Sequence, residues 1–109
     1  MSLIPSERIQ EIVQRLCDSL DAEEIYLFGS RAEDRADRGS DLDLLVVVAD
    51  TGTLPRQLAR RGRKSLRGLG FPVDLVVCRR AEFERWSAVP GNVAHAAVMS
   101  GQRIYAAGS

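Results

Sequence analysis

The segment DLDLLVVV at residues 41–48 constrains this chain more than any other. Its apolar part is nearly continuous and rich in branched residues, which predicts a central strand covered on both faces. Its only acidic residues, Asp41 and Asp43, come first. Residues two apart in a strand point to the same side, so these carboxylates project together while Leu42 and Leu44 face the other way. Anions side by side at the mouth of a hydrophobic strand repel each other and are costly to desolvate unless a cation sits between them.

Magnesium suits that position, because it takes hard oxygen ligands and commonly uses one or two carboxylates, several waters and phosphate oxygens. A seat for phosphate lies upstream. Residues 24–28, EIYLF, form a short β-prone run ending at Gly29, and the stretch from Ser30 to about Arg35 opens with the Ser-x-x-Glu pattern of a helix start. Glycine lets a backbone approach closely, and free N–H groups at a helix start attract anions. The Ser30 hydroxyl adds a donor. Arg31, beside the turn, is a candidate to neutralise triphosphate charge, with Arg35 a weaker one.

A second apolar run, residues 73–78, VDLVVC, reads as another buried strand, interrupted by Asp74. A buried aspartate without a partner costs several kcal/mol, and a third metal ligand resolves that cost. With two magnesium ions, one carboxylate set clamps a triphosphate while another activates an incoming hydroxyl for in-line attack on the α-phosphorus. Asp74 is the best candidate to assist deprotonation of that hydroxyl.

The rest of the chain supports this frame. Residues 6–20 place Ile9, Ile12, Val13, Leu16, Cys17 and Leu20 at steps of three and four, the apolar stripe of a surface helix begun at Pro5 and Ser6. Residues 54–69 predict a basic-faced helix: Leu54, Leu58, Leu66 and Leu69 alternate with six basic residues from Arg56 to Arg67, and Gly70 and Pro72 follow. Those six charges read first as a solvated face, then as a footprint for nucleic acid or for an acidic partner. Residues 81–88 and 93–100 are short helical segments separated by Pro90-Gly91, and residues 103–105 add a brief edge strand. His95 reads as a packing or surface residue, and Phe83 and Trp86 read as core or interface residues before they read as base-stacking ones.

The 109 residues fit a single domain over 1–109. Hydrophobic residues at 45% and charged ones at 28% exclude a disordered chain, and fifteen basic residues balanced by fifteen acidic ones give no argument from whole-molecule charge for a generic nucleic-acid binder. No apolar run approaches bilayer length and the N-terminus lacks signal-peptide character, so the expected location is cytoplasmic. Cys17 and Cys78 read as small core residues, neither having a second ligand at metal spacing.

The segment FGSRAEDRADRGSDLDLLVV resembles the signature of the nucleotidyltransferase superfamily related to DNA polymerase beta, in which ten intervening residues separate Gly-Ser from Asp-x-Asp, as they separate Ser30 from Asp41. The resemblance covers residues 24–78 and, more weakly, the closing GQRIY. It implies an α/β (α+β) fold with a small mixed sheet and helices packed mainly on one side. It implies that Gly29 and Ser30 contact the triphosphate of ATP, that Asp41 and Asp43 bind metal, and that Asp74 completes the catalytic triad. The chain is most similar to stand-alone minimal nucleotidyltransferases, the antitoxin halves of pairs with a helical HEPN-domain toxin. That likeness implies AMP transfer from ATP to a tyrosine or similar hydroxyl of such a partner, in a hetero-oligomer. Two alternatives stand beside it: an antitoxin that blocks its partner by binding alone, and a transferase acting on a small molecule or nucleic acid.

Overall fold

The structure, a computed structural model, describes residues 6–28, 42–69 and 73–107. In chain order it comprises α1 (Ser6–Leu20), β1 (Ala22–Phe28), β2 (Leu42–Val48), α2 (Pro55–Ser65), β3 (Val73–Arg79), α3 (Arg80–Trp86), α4 (Val93–Ser100) and β4 (Gln102–Ala106). The strands form one sheet in the order β3-β2-β1-β4. β1 runs antiparallel to β2 and to β4, whereas β2 and β3 are parallel. A parallel pair needs a crossover, and α2 supplies it.

β2 is the strand that its sequence predicts. Leu44, Leu45, Val46 and Val47 are all 0% exposed, because both faces of the sheet are covered. Leu44 and Val46 pack with Ile12 and Leu16 of α1 and Leu58 of α2. Leu45 and Val47 point the other way and pack with Tyr26, with Phe83 of α3 and with Ala94 and Ala97 of α4. Burial of each such side chain stabilises the fold by about 1.5–3 kcal/mol. The two longer helices and the larger core lie on one side of this mixed sheet, and two short helices with a smaller core lie on the other.

The stripe of α1 is buried at Ile12, Leu16 and Leu20 and partly buried at Ile9, Val13 and Cys17. The helix stops where Asp21 adopts φ 55° and its N–H donates to the Cys17 carbonyl at 3.0 Å. Aspartate is one of the few residues that visit this left-handed region readily. β1 then starts at Ala22, two residues before the run 24–28, with an irregularity in its pairing between Ala22 and Glu24.

α2 begins with Pro55 at its first turn, where the missing N–H costs nothing, and Gln57 Oε1 accepts from the Leu54 N–H at 3.3 Å. It ends at Ser65, earlier than the stretch 54–69 predicts. The N–H groups of Leu66 and Arg67 reach back only three residues, to Arg63 and Lys64, and Gly68 turns the chain at φ +88°. Leu66 and Leu69 stay buried nonetheless. The exposed carbonyl end is tied to α1, for Arg15 Nη1 donates to the Ser65 carbonyl at 3.1 Å and the Arg67 carbonyl at 2.8 Å, while Nη2 donates to Glu11 at 2.7 Å. Arg15→Ala is expected to cost about 1 kcal/mol, since charge-assisted bonds at a partly exposed site are replaced by water. Thermal unfolding should show a Tm lower by roughly 4–8 °C.

β3 lies at the sheet edge and is less buried than its apolar sequence predicts. Leu75 and Val77 are buried toward α2, Val76 and Cys78 are half-buried, and Asp74 is exposed. The expectation of a buried Asp74 is therefore corrected. It is exposed near the start of an edge strand, so no desolvation penalty calls for a ligand there.

Cys17 and Cys78 are free thiols packed half-buried against the two cores. Burial pushes the Cys78 thiol up to about 12, with the Glu82 carboxylate adding to the shift. At pH 8 it is protonated and should resist iodoacetamide in the native protein, then react at the ordinary rate once urea unfolds the chain. Mass spectrometry of the alkylated peptides reads this directly.

Candidate active site

Asp43 of β2 and Asp74 of β3 are register partners in the parallel ladder. Both share the strand face of Leu45, Val47, Val76 and Cys78, the face on which α3 and α4 pack. Neighbouring strands are about 4.8 Å apart, so the two acidic positions face one space. Asp43 is half-buried there and Asp74 exposed. Phe28, covalently bonded to Gly29, is the antiparallel partner of Asp43. The sheet thus brings together three strand positions that lie far apart in sequence: the end of β1 and the starts of β2 and β3. Gly29, Ser30, Arg31 and Asp41 lie outside the described residues, as do Arg35 and the helix start at Ser30.

Two carboxylates in one row offer the hard oxygen donors that magnesium takes, and the residues present fit such an ion. Among the described residues no group of three or more His, Cys, Asp or Glu side chains is arranged to hold a metal.

Along the same face, beginning two residues beyond the aspartates, runs an open cleft of about 210 Å³. Leu45, Val76 and Cys78 line it from the sheet, Trp86 from α3, and Asn92 and Val93 from the start of α4. Trp86 is 41% exposed at this cleft instead of buried in the core, whereas Phe83 is a core residue with its ring 5.5 Å from that of Tyr26. Asn92 caps α4, its side chain accepting from the Ala94 N–H at 2.9 Å. The cleft is assembled from segments up to some fifty residues apart, and no local pattern in the sequence announces it.

The profile of a family described as "Nucleotidyltransferase domain" matches residues 9–98. The chain belongs to this nucleotidyltransferase family. Solved structures agree with the assignment. A crystal structure of a toxin–antitoxin with AMP-PNP aligns at TM-score 0.64 and 29% identity, over 90% of this chain and 73% of that one. A mutant of the toxin–antitoxin MntA-HpeT aligns at TM-score 0.63 and 27% identity over the same shares. A nucleotidyltransferase structure from Sulfolobus solfataricus aligns at 0.57 and 30% identity, over 72% of this chain and 70% of that one. A search of curated proteins found no match.

Several other polar groups of this nucleotidyltransferase domain have structural partners. Arg80 bonds Glu23 at 3.0 Å and lies 3.7 Å from Glu24, which also accepts from the Tyr26 hydroxyl at 2.8 Å. These contacts pin α3 across β1 at the strand end away from Phe28 and Asp43. Burial and the Glu24 carboxylate together raise the Tyr26 hydroxyl pKa. His95 bonds the Ser87 carbonyl through Nδ1 at 2.9 Å, linking α4 to the end of α3, which bears out its reading as a packing residue. Arg79 pairs with Glu82, whose carboxylate also accepts from the Arg79 N–H at 3.2 Å and so helps to start α3. Among the described residues no helix is long and apolar enough to cross a membrane.

Proposed function

We propose that this domain is a cytoplasmic, magnesium-dependent adenylyltransferase that moves AMP from ATP to a tyrosine or similar hydroxyl of a HEPN-type helical partner, acting as the antitoxin of that partner. The observation that carries the reading is the pairing of Asp43 with Asp74 in adjacent parallel strands. The spacing of Gly29-Ser30 to Asp41 and Asp43 supports it, as do solved toxin–antitoxin structures among the similar folds, one of them described with AMP-PNP.

In this reading Asp41, Asp43 and Asp74 hold two magnesium ions, and Gly29, Ser30 and Arg31 hold the triphosphate. Bound magnesium supplies positive charge that stabilises the developing negative charge on the phosphoryl oxygens. The acceptor oxygen forms a bond to the α-phosphorus, the bond from that phosphorus to the β-phosphate oxygen breaks, and pyrophosphate leaves. Asp74, the exposed member of the row, takes the hydroxyl proton. The apolar cleft next to the aspartates offers room for an aromatic acceptor side chain. The acceptor belongs to another molecule, so the working form is a hetero-oligomer.

The test is incubation of the domain with magnesium, α-labelled ATP and the product of the adjacent reading frame. Label on a partner hydroxyl, with release of pyrophosphate, is the expected result. If the partner stays unlabelled while an Asp43→Ala variant still neutralises it in cells, the domain acts by binding alone and the proposal fails.

A further inference from the structure

The six cations of residues 56–67 take no part in the site above. All six, Arg56, Arg60, Arg61, Arg63, Lys64 and Arg67, are exposed, and none of their side chains bonds or ion-pairs with a described residue. At 100° per residue, Arg56, Arg60, Arg63 and Lys64 fall within an arc of about 100° on α2 and span about 12 Å of its axis. Arg61 and Arg67 flank them. α2 contains no acidic residue. Like charges three and four apart repel, and a cation in the first turn opposes the helix dipole, so the stripe costs the helix stability without an ion pair among the described residues. α2 packs on the face of Leu44 and Val46, opposite that of Asp43 and Asp74, which separates the stripe from the aspartate row.

We propose that the outer face of α2 binds the phosphate backbone of duplex RNA. Every exposed side chain of α2 is Arg, Lys or Gln. A protein interface needs a buried apolar or aromatic centre, and the exposed Leu54 precedes the helix instead of sitting in the stripe. A single-strand site needs aromatic platforms for unstacked bases, and the stripe has none. Arginine's fork matches phosphate oxygens, and five of the six cations are arginine. α2 buries its inner side along Leu58, Ala59 and Gly62, and its outer cations form one stripe along the surface. Such a stripe suits A-form RNA, whose narrow major groove brings the phosphates of both strands close together.

Fluorescence anisotropy with a short labelled RNA duplex tests this. With about five phosphate contacts, affinity should fall roughly 500-fold between about 50 and 200 mM salt, and only about ten-fold in an Arg60→Gln, Arg63→Gln, Lys64→Gln variant. Asp74→Asn should leave RNA binding unchanged. A DNA duplex of the same sequence should bind more weakly. The proposal is overturned if DNA binds as tightly as RNA, if polyglutamate of equal charge binds more tightly than RNA, or if no RNA binds at low salt. Because the wild-type salt slope stands alone, a misfolded variant would not protect it.

Discussion

Asp43→Asn is expected to lower nucleotidyl transfer by roughly a thousand-fold, about 4 kcal/mol of transition-state stabilisation, while Tm stays within a few degrees. The two effects separate because different atoms of β2 carry them. Its hold on the fold comes from Leu44 to Val47, whose side chains are wholly buried between the two helical layers. Asp43 lies near the start of the strand, in the same row as Asp74. Replacing one carboxylate oxygen by an amide keeps the shape and removes the charge that a divalent cation needs. Single-turnover transfer at saturating magnesium, with thermal melts of the same samples, checks both halves. Transfer within ten-fold of wild type would remove Asp43 from the chemistry.

Gly101→Ala is expected to destabilise the fold strongly. Gly101 joins α4 to β4, and a Cβ built there would stand 2.5 Å from the Ala97 carbonyl oxygen and 2.9 Å from that of Leu27. Both are backbone atoms, so no side-chain rotation relieves the clash. Either α4 moves off the sheet or β4 loses its pairing with β1 at Leu27 and Gln102. The cost should be about 3 kcal/mol, near the upper end for overpacking, and Tm should fall by roughly 12–24 °C. An unchanged Tm would show that this junction adjusts freely.

Much of the architecture was legible in local patterns. The unbroken apolar run of β2 predicts a strand covered on both faces, and it has that cover. The stripe of α1, the short helices on either side of Pro90-Gly91 and the brief strand at residues 103–105 follow from periodicity and breakers, because each lies within a dozen residues. The depth of Asp74 was not legible. β2 and β3 have similar apolar content, and only the strand order makes one central and the other an edge. Register, not desolvation, ties Asp74 to the site: it is the partner of Asp43, not a buried orphan. The early end of α2 turned on Gly68, inside the apolar spacing of Leu66 and Leu69 that the longer helix was read from. Trp86 and the cleft were hidden for another reason, since α3, α4 and two strands must come together before its walls exist.

Calorimetric titration of ATP into the domain, with and without magnesium, tests the account most directly. The account predicts heat of binding that requires magnesium and disappears in Asp43→Asn, the variant's melting curve being unchanged. Equal binding with and without magnesium, or undiminished magnesium-dependent binding by Asp43→Asn, would contradict it.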